Sequence, residues 1–337
     1  MKTGIKLVIL LFSAYFSLLE SPLMTHAKDN REFEKIRFAV LYKGDRGKME
    51  KRYEKLNNFL RQRLFDLELR YFRDPQEIEI LVGEMKNGNI DIAGEFSPLD
   101  YLESKRYLIP LVRTIWNGRD FYYGIILAKE KEKNIRSLRD LKGKTIAFSN
   151  PRSASGFIYP RAEFFKHDID MKEKARPGSG YVSFVLYGSS KYVLEELLHE
   201  GSEIAAGAIP QFLYIKAINE NESIRRKLRL LKGGRLGPIK NGVFVCREGF
   251  PEDKADRFKE LLINLAEEPP PGFFDSWNGF QGWLTWEDGD YDGLIRAMNT
   301  PSPIQEAVLR YFIIVGIVVL FGSGLFVFFR LIKKGEK

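Results

Sequence analysis

The chain has 337 residues, is 44% hydrophobic and carries 53 basic against 45 acidic side chains, for a formal net charge of +8. That length buries a sizeable core and leaves room for about two domains. Its one cysteine, Cys246, excludes an intramolecular disulfide, and its apolar setting (Val243-Phe244-Val245) points to a buried structural thiol rather than a reactive one.

Residues 1–27 open with Lys2 and Lys6, run apolar from Leu7 to Leu19 and close on Thr25-His26-Ala27. A charged start, an apolar stretch of roughly a dozen residues and a small residue at the cut predict a secretory signal peptide. Glu20 ends the run short of the roughly 20 residues that a membrane span needs. No cysteine lies near the cut, so anchoring through a lipidated N-terminal cysteine is excluded. From residue 28 onward, strand-like and helix-like runs alternate, which predicts an α/β fold with a mostly parallel sheet. Strands are expected over 37–42, 67–72, 90–94, 109–114 and 121–128, with helices over 48–65 and 75–86. Ser97-Pro98 begins another helix, with serine as the cap and proline at the first helical position.

After a charged connector at 129–134 the pattern restarts. A helical turn over 137–144 feeds a strand at 145–148, a helix starts around 153–155, and a strand at 181–185 precedes a helix at 190–199. A strand follows at 203–208, Gly237-Pro238 breaks the chain, and a strand over 242–246 returns to the first lobe. Residues 251–267 form a helix, closed by Pro269-Pro270-Pro271. The expected organisation is a discontinuous first lobe (28–127 and 242–300), an inserted second lobe (128–241) and a linker at 301–310. Residues 311–332 then form a transmembrane helix, and 333–337 a cytoplasmic tail. The span rests on an uncharged run from Tyr311 to Phe329, near 28 Å as a helix. Arg330, Lys333 and Lys334 follow at once and place the C-terminus in the cytoplasm, with the bulk of the chain outside. That location argues against nucleic acid as a partner. Basic and acidic residues interleave through 31–73 and 248–268, as on solvated helix faces, and the net positive field would draw small anions into a cleft.

Three predicted strand-to-helix turns end in hydroxyl residues: Ser97, the pair Ser153 and Ser155, and the pair Ser189 and Ser190. A helix N-terminus presents unpaired N–H groups and a partial positive charge, so each is a natural anion site. In open α/β sheets such turns gather at the carboxyl ends of the strands, where ligands bind. Each serine also has the plainer role of capping its own helix. Enzyme chemistry finds little support. His167 and His199 sit at predicted helix ends beside charged residues, and no metal-ligand spacing of the usual kinds occurs. The run from Lys43 to Lys48 lacks P-loop spacing and reads as a turn. Trp277, Trp283 and Trp286, among Phe273, Phe274 and Phe280, form either a packed core or a membrane-interface patch.

The run Asn150-Pro151-Arg152-Ser153-Ala154-Ser155-Gly156, with Pro160-Arg161 after it, resembles the serine/threonine-rich loop of the phosphonate-binding periplasmic proteins of ABC transporters. That family also covers phosphate and phosphite binders. The resemblance extends to Asp91-Ile92-Ala93, Ser97-Pro98-Leu99-Asp100-Tyr101, the 137–144 turn, Gly188-Ser189-Ser190, Gly201 with 205–208, and Asp290-Tyr291-Asp292. It implies the two-lobed type II periplasmic-binding fold with two crossover hinges, and a clamp that takes a phosphate-, phosphite- or phosphonate-type oxyanion without any cofactor. By the same resemblance Ser153, Ser155 and Gly156 would cradle the anion, Tyr122 or Tyr123 would contact it, and Tyr42 would line the cleft. Ser97, Ser189 and Ser190 complete the expected set. The chain departs from aminophosphonate binders, which carry acidic residues for the ligand amine. Here Ser190-Lys191 and Ala208-Ile209-Pro210-Gln211 stand at those positions, so an oxyanion without an amine is expected. The expected partner is an ABC permease, with lipid held by the C-terminal helix. The alternative is a sensing or accessory role through a separate membrane partner such as a sensor kinase.

Overall fold

A computed structural model describes residues 33–309 except 43, 75, 177 and 179. The expected signal peptide (1–27) and transmembrane helix (311–332) lie outside the described residues. Among those described, no helix is long and apolar enough to cross a membrane.

Two six-stranded sheets carry the fold. Along the chain run β1 (Glu34–Tyr42), α1 (Arg46–Arg61), β2 (Phe65–Arg73), α2 (Ile78–Lys86), β3 (Ile92–Phe96), α3 (Pro98–Ser104) and β4 (Leu108–Trp116). These elements, with β11 (Val243–Arg247) and β12 (Phe280–Thr285), build the first lobe, in the strand order β12-β4-β11-β3-β1-β2. The second lobe holds β5 (Phe121–Lys129), β6 (Thr145–Phe148), α4 (Tyr159–Lys166), β7 (Met171–Glu173), β8 (Val182–Leu186), α5 (Ser190–Leu198), β9 (Ala206–Pro210), α6 (Gln211–Glu220), α7 (Ile224–Lys227) and β10 (Leu228–Lys240). Its strand order is β10-β5-β9-β6-β8-β7. Helix α8 (Glu252–Glu267) returns to the first lobe, and α9 (Asp292–Met298) ends at the seam between the two. In each lobe the parallel strands sit together and antiparallel partners flank them on one side.

The periodicity that builds these elements is visible in what they bury. Along α1, Met49, Tyr53, Leu56 and Leu60 recur at three- and four-residue spacing and face the first sheet, against Phe38, Phe65 and Phe258. Trp277, Trp283 and Phe280 are almost fully buried in this same core. The aromatic cluster is therefore the packed core of the first lobe. Trp286 instead meets Tyr101 and Tyr291 edge to face. Cys246 is buried in the same core, and burial pushes its thiol up to about 11.

Two features differ from the sequence reading. The first crossing between lobes falls at 117–120, ahead of the expected 127/128 boundary, because β5 pairs antiparallel with both β9 and β10 of the second sheet. And Gly237-Pro238 does not break the chain. It sits inside β10, where the register against β5 shifts between Leu236 and Ile239. β10 is the edge strand, and an edge tolerates proline because a missing N–H there costs no ladder bond on the open side. The returning crossing is short, at 241–242.

Both crossings are tied down by one polar network. Arg113, almost fully buried, contacts Asp120 and pairs with Asp290 at 2.7 Å. Lys240 pairs with Asp120 at 2.6 Å and lies 3.7 Å from Asp290. Burial works to raise the Asp120 carboxyl, but Lys240 and Arg113 outweigh it and hold the group below the usual carboxylate range. The Tyr291 hydroxyl donates to the Asn241 carbonyl at 2.7 Å, and the Asn241 amide donates to Thr114 and Arg119 carbonyls. Asp290 and Tyr291 thus buttress the two crossings.

Candidate functional site

The helix starts that follow the parallel strands β3 and β6, at Leu99 and Ala154, meet in one buried cluster. In the second lobe β6 ends at Phe148, and the chain turns through Ser149–Arg152 into a helix whose first turn is wide. Phe157 N–H and Ile158 N–H both donate to the Ser153 carbonyl, at 3.0 and 2.9 Å. This turn, residues Ala154–Ile158, runs directly into α4. Ser153 is the cap, its hydroxyl accepting from the Gly156 N–H at 3.0 Å. No acidic residue occupies this first turn.

Three serines line this turn, and the Ser149 and Ser153 hydroxyls flank Gly156. Ser155 is buried and hydrogen-bonded to the Tyr122 hydroxyl. Ser149 is 1% exposed, and its Oγ is buried with no hydrogen-bond partner. Gly156 packs so close that a Cβ there would overlap the Ser149 Oγ and come within 2.9 Å of the Ser153 Oγ. Gly124 on β5 also packs closely, since a Cβ would sit 3.1 Å from the Ser155 carbonyl oxygen. The second hydroxyl turn adjoins the first: Gly188 N–H donates to the Ser149 carbonyl at 2.6 Å, and Asn150 Nδ2 donates to the Gly188 carbonyl at 3.1 Å. Ser189 there caps α5, accepting from Tyr192 N–H at 3.3 Å, and Ser190 opens the helix.

Of the sequence candidates, Ser153, Ser155, Gly156 and Tyr122 come together, with Ser189 and Ser190 on the neighbouring turn. Tyr122 and Tyr123 separate because adjacent strand residues point to opposite faces. Tyr122 faces Ser155, whereas Tyr123 lies under the Arg235 guanidinium at 3.9 Å. Burial, the larger influence, raises the Tyr122 phenol, and the Ser155 bond lowers it only in part. Ser97 lies across the seam and is already engaged: its hydroxyl donates to Asp100 Oδ2 at 2.5 Å and accepts from Asp100 N–H at 3.3 Å. Tyr42 packs at the end of β1 against the first-lobe core. Ser149 was missed, because it lies outside the Ser153–Gly156 run. The signal that would have found it is its place as the first residue beyond a parallel strand.

Between the lobes runs an apolar seam. Leu99, Leu294 and Ala297 of the first lobe pack with Ala154, Ile158, Ala162 and Ile239 of the second. A leucine buried this way is worth about 1.5–3 kcal/mol over one left in water. Beside it, Arg152 reaches Asp100 and Glu103 on α3, each at 2.6 Å. His167 lies 3.3 Å from Glu163, its neighbour one helical turn back.

A family model described as the periplasmic substrate-binding protein of phosphonate ABC transporters matches residues 38–291. The phosphate-import protein PhnD of Mycolicibacterium smegmatis is 34% identical over 94 residues, which cover 26% of this chain and 29% of that protein. Among solved structures, XAC2383 from Xanthomonas citri bound to ATP superposes with a TM-score of 0.63 at 18% identity, covering 78% of this chain and 95% of that one. PhnD1 from Prochlorococcus marinus in complex with methylphosphonate does so at 0.55 and 15% identity, over 81% of this chain and 100% of that one. At such identities the superpositions establish the two-lobed fold.

Proposed function

The chain belongs to the periplasmic substrate-binding family of phosphonate ABC transporters, and from that membership we propose that it clamps a small phosphorus oxyanion and delivers it to an ABC permease. Members of this family bind solutes, and the chain is a binding protein rather than an enzyme. The anion, of phosphate, phosphite or phosphonate type, sits at the N-terminus of the helix that begins at Ala154. Ser149, Ser153 and Ser155 supply neutral donors there, and the first-turn N–H groups add the partial positive charge of a helix end. The observation that carries this reading is the buried Ser149 hydroxyl without a partner, beside a glycine whose Cβ position is already filled. An unpaired buried hydroxyl costs about 1–3 kcal/mol, and an arriving oxyanion removes that cost. The absence of a carboxylate at Ser190-Lys191 and at 208–211 favours a ligand without an amine.

Residues 1–27 direct export, and the segment over 311–332, with its uncharged run from Tyr311 to Phe329, anchors the clamp to the cytoplasmic membrane with its tail inside. The relatives favour transport over the sensing role. The test is thermal unfolding of the full-length chain against phosphate, phosphite, sulfate, methylphosphonate and 2-aminoethylphosphonate. A ligand at about one hundred times its Kd stabilises by roughly 2.7 kcal/mol. A rise with a phosphorus oxyanion, lost in the Ser153→Ala, Ser155→Ala double variant, is the expected result. A preference for 2-aminoethylphosphonate over phosphate overturns the choice of ligand, and no rise with any of them overturns the ligand class.

A further inference from the structure

Arg152 stands immediately before Ser153, in the loop that cradles the proposed anion, yet its guanidinium points to the other lobe. Its Nη2 lies 2.6 Å from Asp100 Oδ1 and 2.6 Å from Glu103 Oε2, both on α3. Asp100 is 4% exposed, and its second oxygen is taken by the Ser97 hydroxyl. The other end of the same helical unit is fastened too, because Arg161 Nη2 donates to the Met298 carbonyl at the C-terminus of α9 at 3.1 Å. A cation at a helix C-terminus is favourably placed. The unit from 152 to 166 is thus held to the first lobe by Arg152 and Arg161, with Ala154, Ile158 and Ala162 sealed against Leu99 and Leu294.

We propose that Arg152 is a positioning residue for closure: it bridges the anion loop to α3, so that the closed clamp is held by the protein's own charges and not by the ligand alone. The bridge joins residues of different lobes and therefore exists only when the lobes are together. Because the cradle lies at the seam, ligand entry and dissociation both require the bridge to open. Losing Arg152 therefore speeds release and does not slow capture. The two arms differ in weight. Glu103 and Arg152 are both nearly half exposed, so solvent screens that arm, whereas the Asp100 arm ends on a buried carboxylate. This inference rests on the proposed anion site for its kinetic consequence, but not for the bridge itself.

The experiment has two readouts on the full-length chain. The first is the interlobe distance without ligand, between spin labels at Glu54→Cys and Lys191→Cys, with the buried Cys246 left in place. The native chain should show a short, narrow distribution, and Arg152→Ala a longer, broader one. The second is stopped-flow binding of methylphosphonate or phosphate. Arg152→Ala should raise koff about tenfold with kon no lower than native, and Glu103→Gln should raise koff only about twofold. Arg152→Lys should fall between native and Arg152→Ala, since one ammonium does not reproduce the forked contact. An unchanged distance distribution in Arg152→Ala overturns the proposal. So does a fall in kon at constant koff, which would make Arg152 a steering charge. If the native chain binds neither ion, the proposed ligand class fails while the distance measurement still decides the bridge.

Discussion

Two serine-capped helices face each other across the seam, and they have been put to different uses. Ser97 and Ser153 each follow a parallel strand, β3 and β6, and each accepts a hydrogen bond from the N–H three residues on. At that third position the first-lobe helix has Asp100 and the second-lobe helix has Gly156. The carboxylate of Asp100 sits in its own helix's first turn, takes the Ser97 hydroxyl and draws Arg152 across. That end is filled from within. The second-lobe end has no acidic residue in its first turn, a missing Cβ and an unpartnered buried hydroxyl beside it. A serine at a helix start therefore marks a cap in both places, and the third residue decides whether the positive end remains available to an outside anion.

The largest effect is expected from filling the glycine. Gly156→Ala places a Cβ onto Ser149 Oγ and against Ser153 Oγ. It should destabilise the chain by about 1–3 kcal/mol, seen as a lower thermal midpoint, and abolish oxyanion binding by calorimetry. A sharper intervention makes the second lobe resemble the first. Ser153→Asp keeps a good cap but brings a fixed negative charge to the open helix end. Stability should stay within about 0.5 kcal/mol while binding is lost. Retained binding in that variant would mean that the anion does not sit at this helix end.

The same pair of turns explains what the sequence could and could not reveal. The alternation of runs made both lobes, the cap at Ser97-Pro98 and the return through β11 readable, because each depends on local periodicity. The Ser153–Gly156 loop was readable as a motif. What escaped was tertiary. That Ser97 is spent on Asp100 depends on the Asp100 side chain folding back, and that Tyr122 rather than Tyr123 faces the loop depends on the pleat phase of β5. Ser149 carries no motif of its own and becomes notable only once Gly156 is seen against it. Local periodicity does not mark helix α6 either, which has no fully buried residue to give it a clear apolar stripe.

A smaller effect separates capping from binding on the other side of the seam. Ser97→Ala removes the cap of α3 and should cost about 1 kcal/mol of stability. Oxyanion affinity should hardly change. A loss of affinity as large as that of the Ser153→Ala, Ser155→Ala variant would erase the distinction between the two turns.

The last contrast sets Asp91, at the base of the first lobe, against the anion loop and emerges only in acid. Asp91, at the start of the strand that leads to Ser97, is buried, which by itself would raise its pKa. Hydrogen bonds from Arg37 at 2.8 and 2.6 Å, with Arg247 at 3.1 Å, outweigh that burial and hold the group below the usual carboxylate range. A depressed folded-state pKa means that the unfolded chain takes up the proton first as pH falls. The stabilisation is therefore complete above the unfolded value of about 3.9 and is lost as pH drops through the lower folded value. Thermal midpoints of the native chain should hold steady from pH 7 to pH 5 and fall steeply below about pH 4. Asp91→Asn should start lower, because it leaves Arg37 and Arg247 without their carboxylate, and should lose less on further acidification. Equal acid sensitivity in the two would mean that Asp91 does not carry the acid limb. The fall belongs to the base of the first lobe, remote from the anion loop, so added ligand should raise the whole curve without moving its steep part.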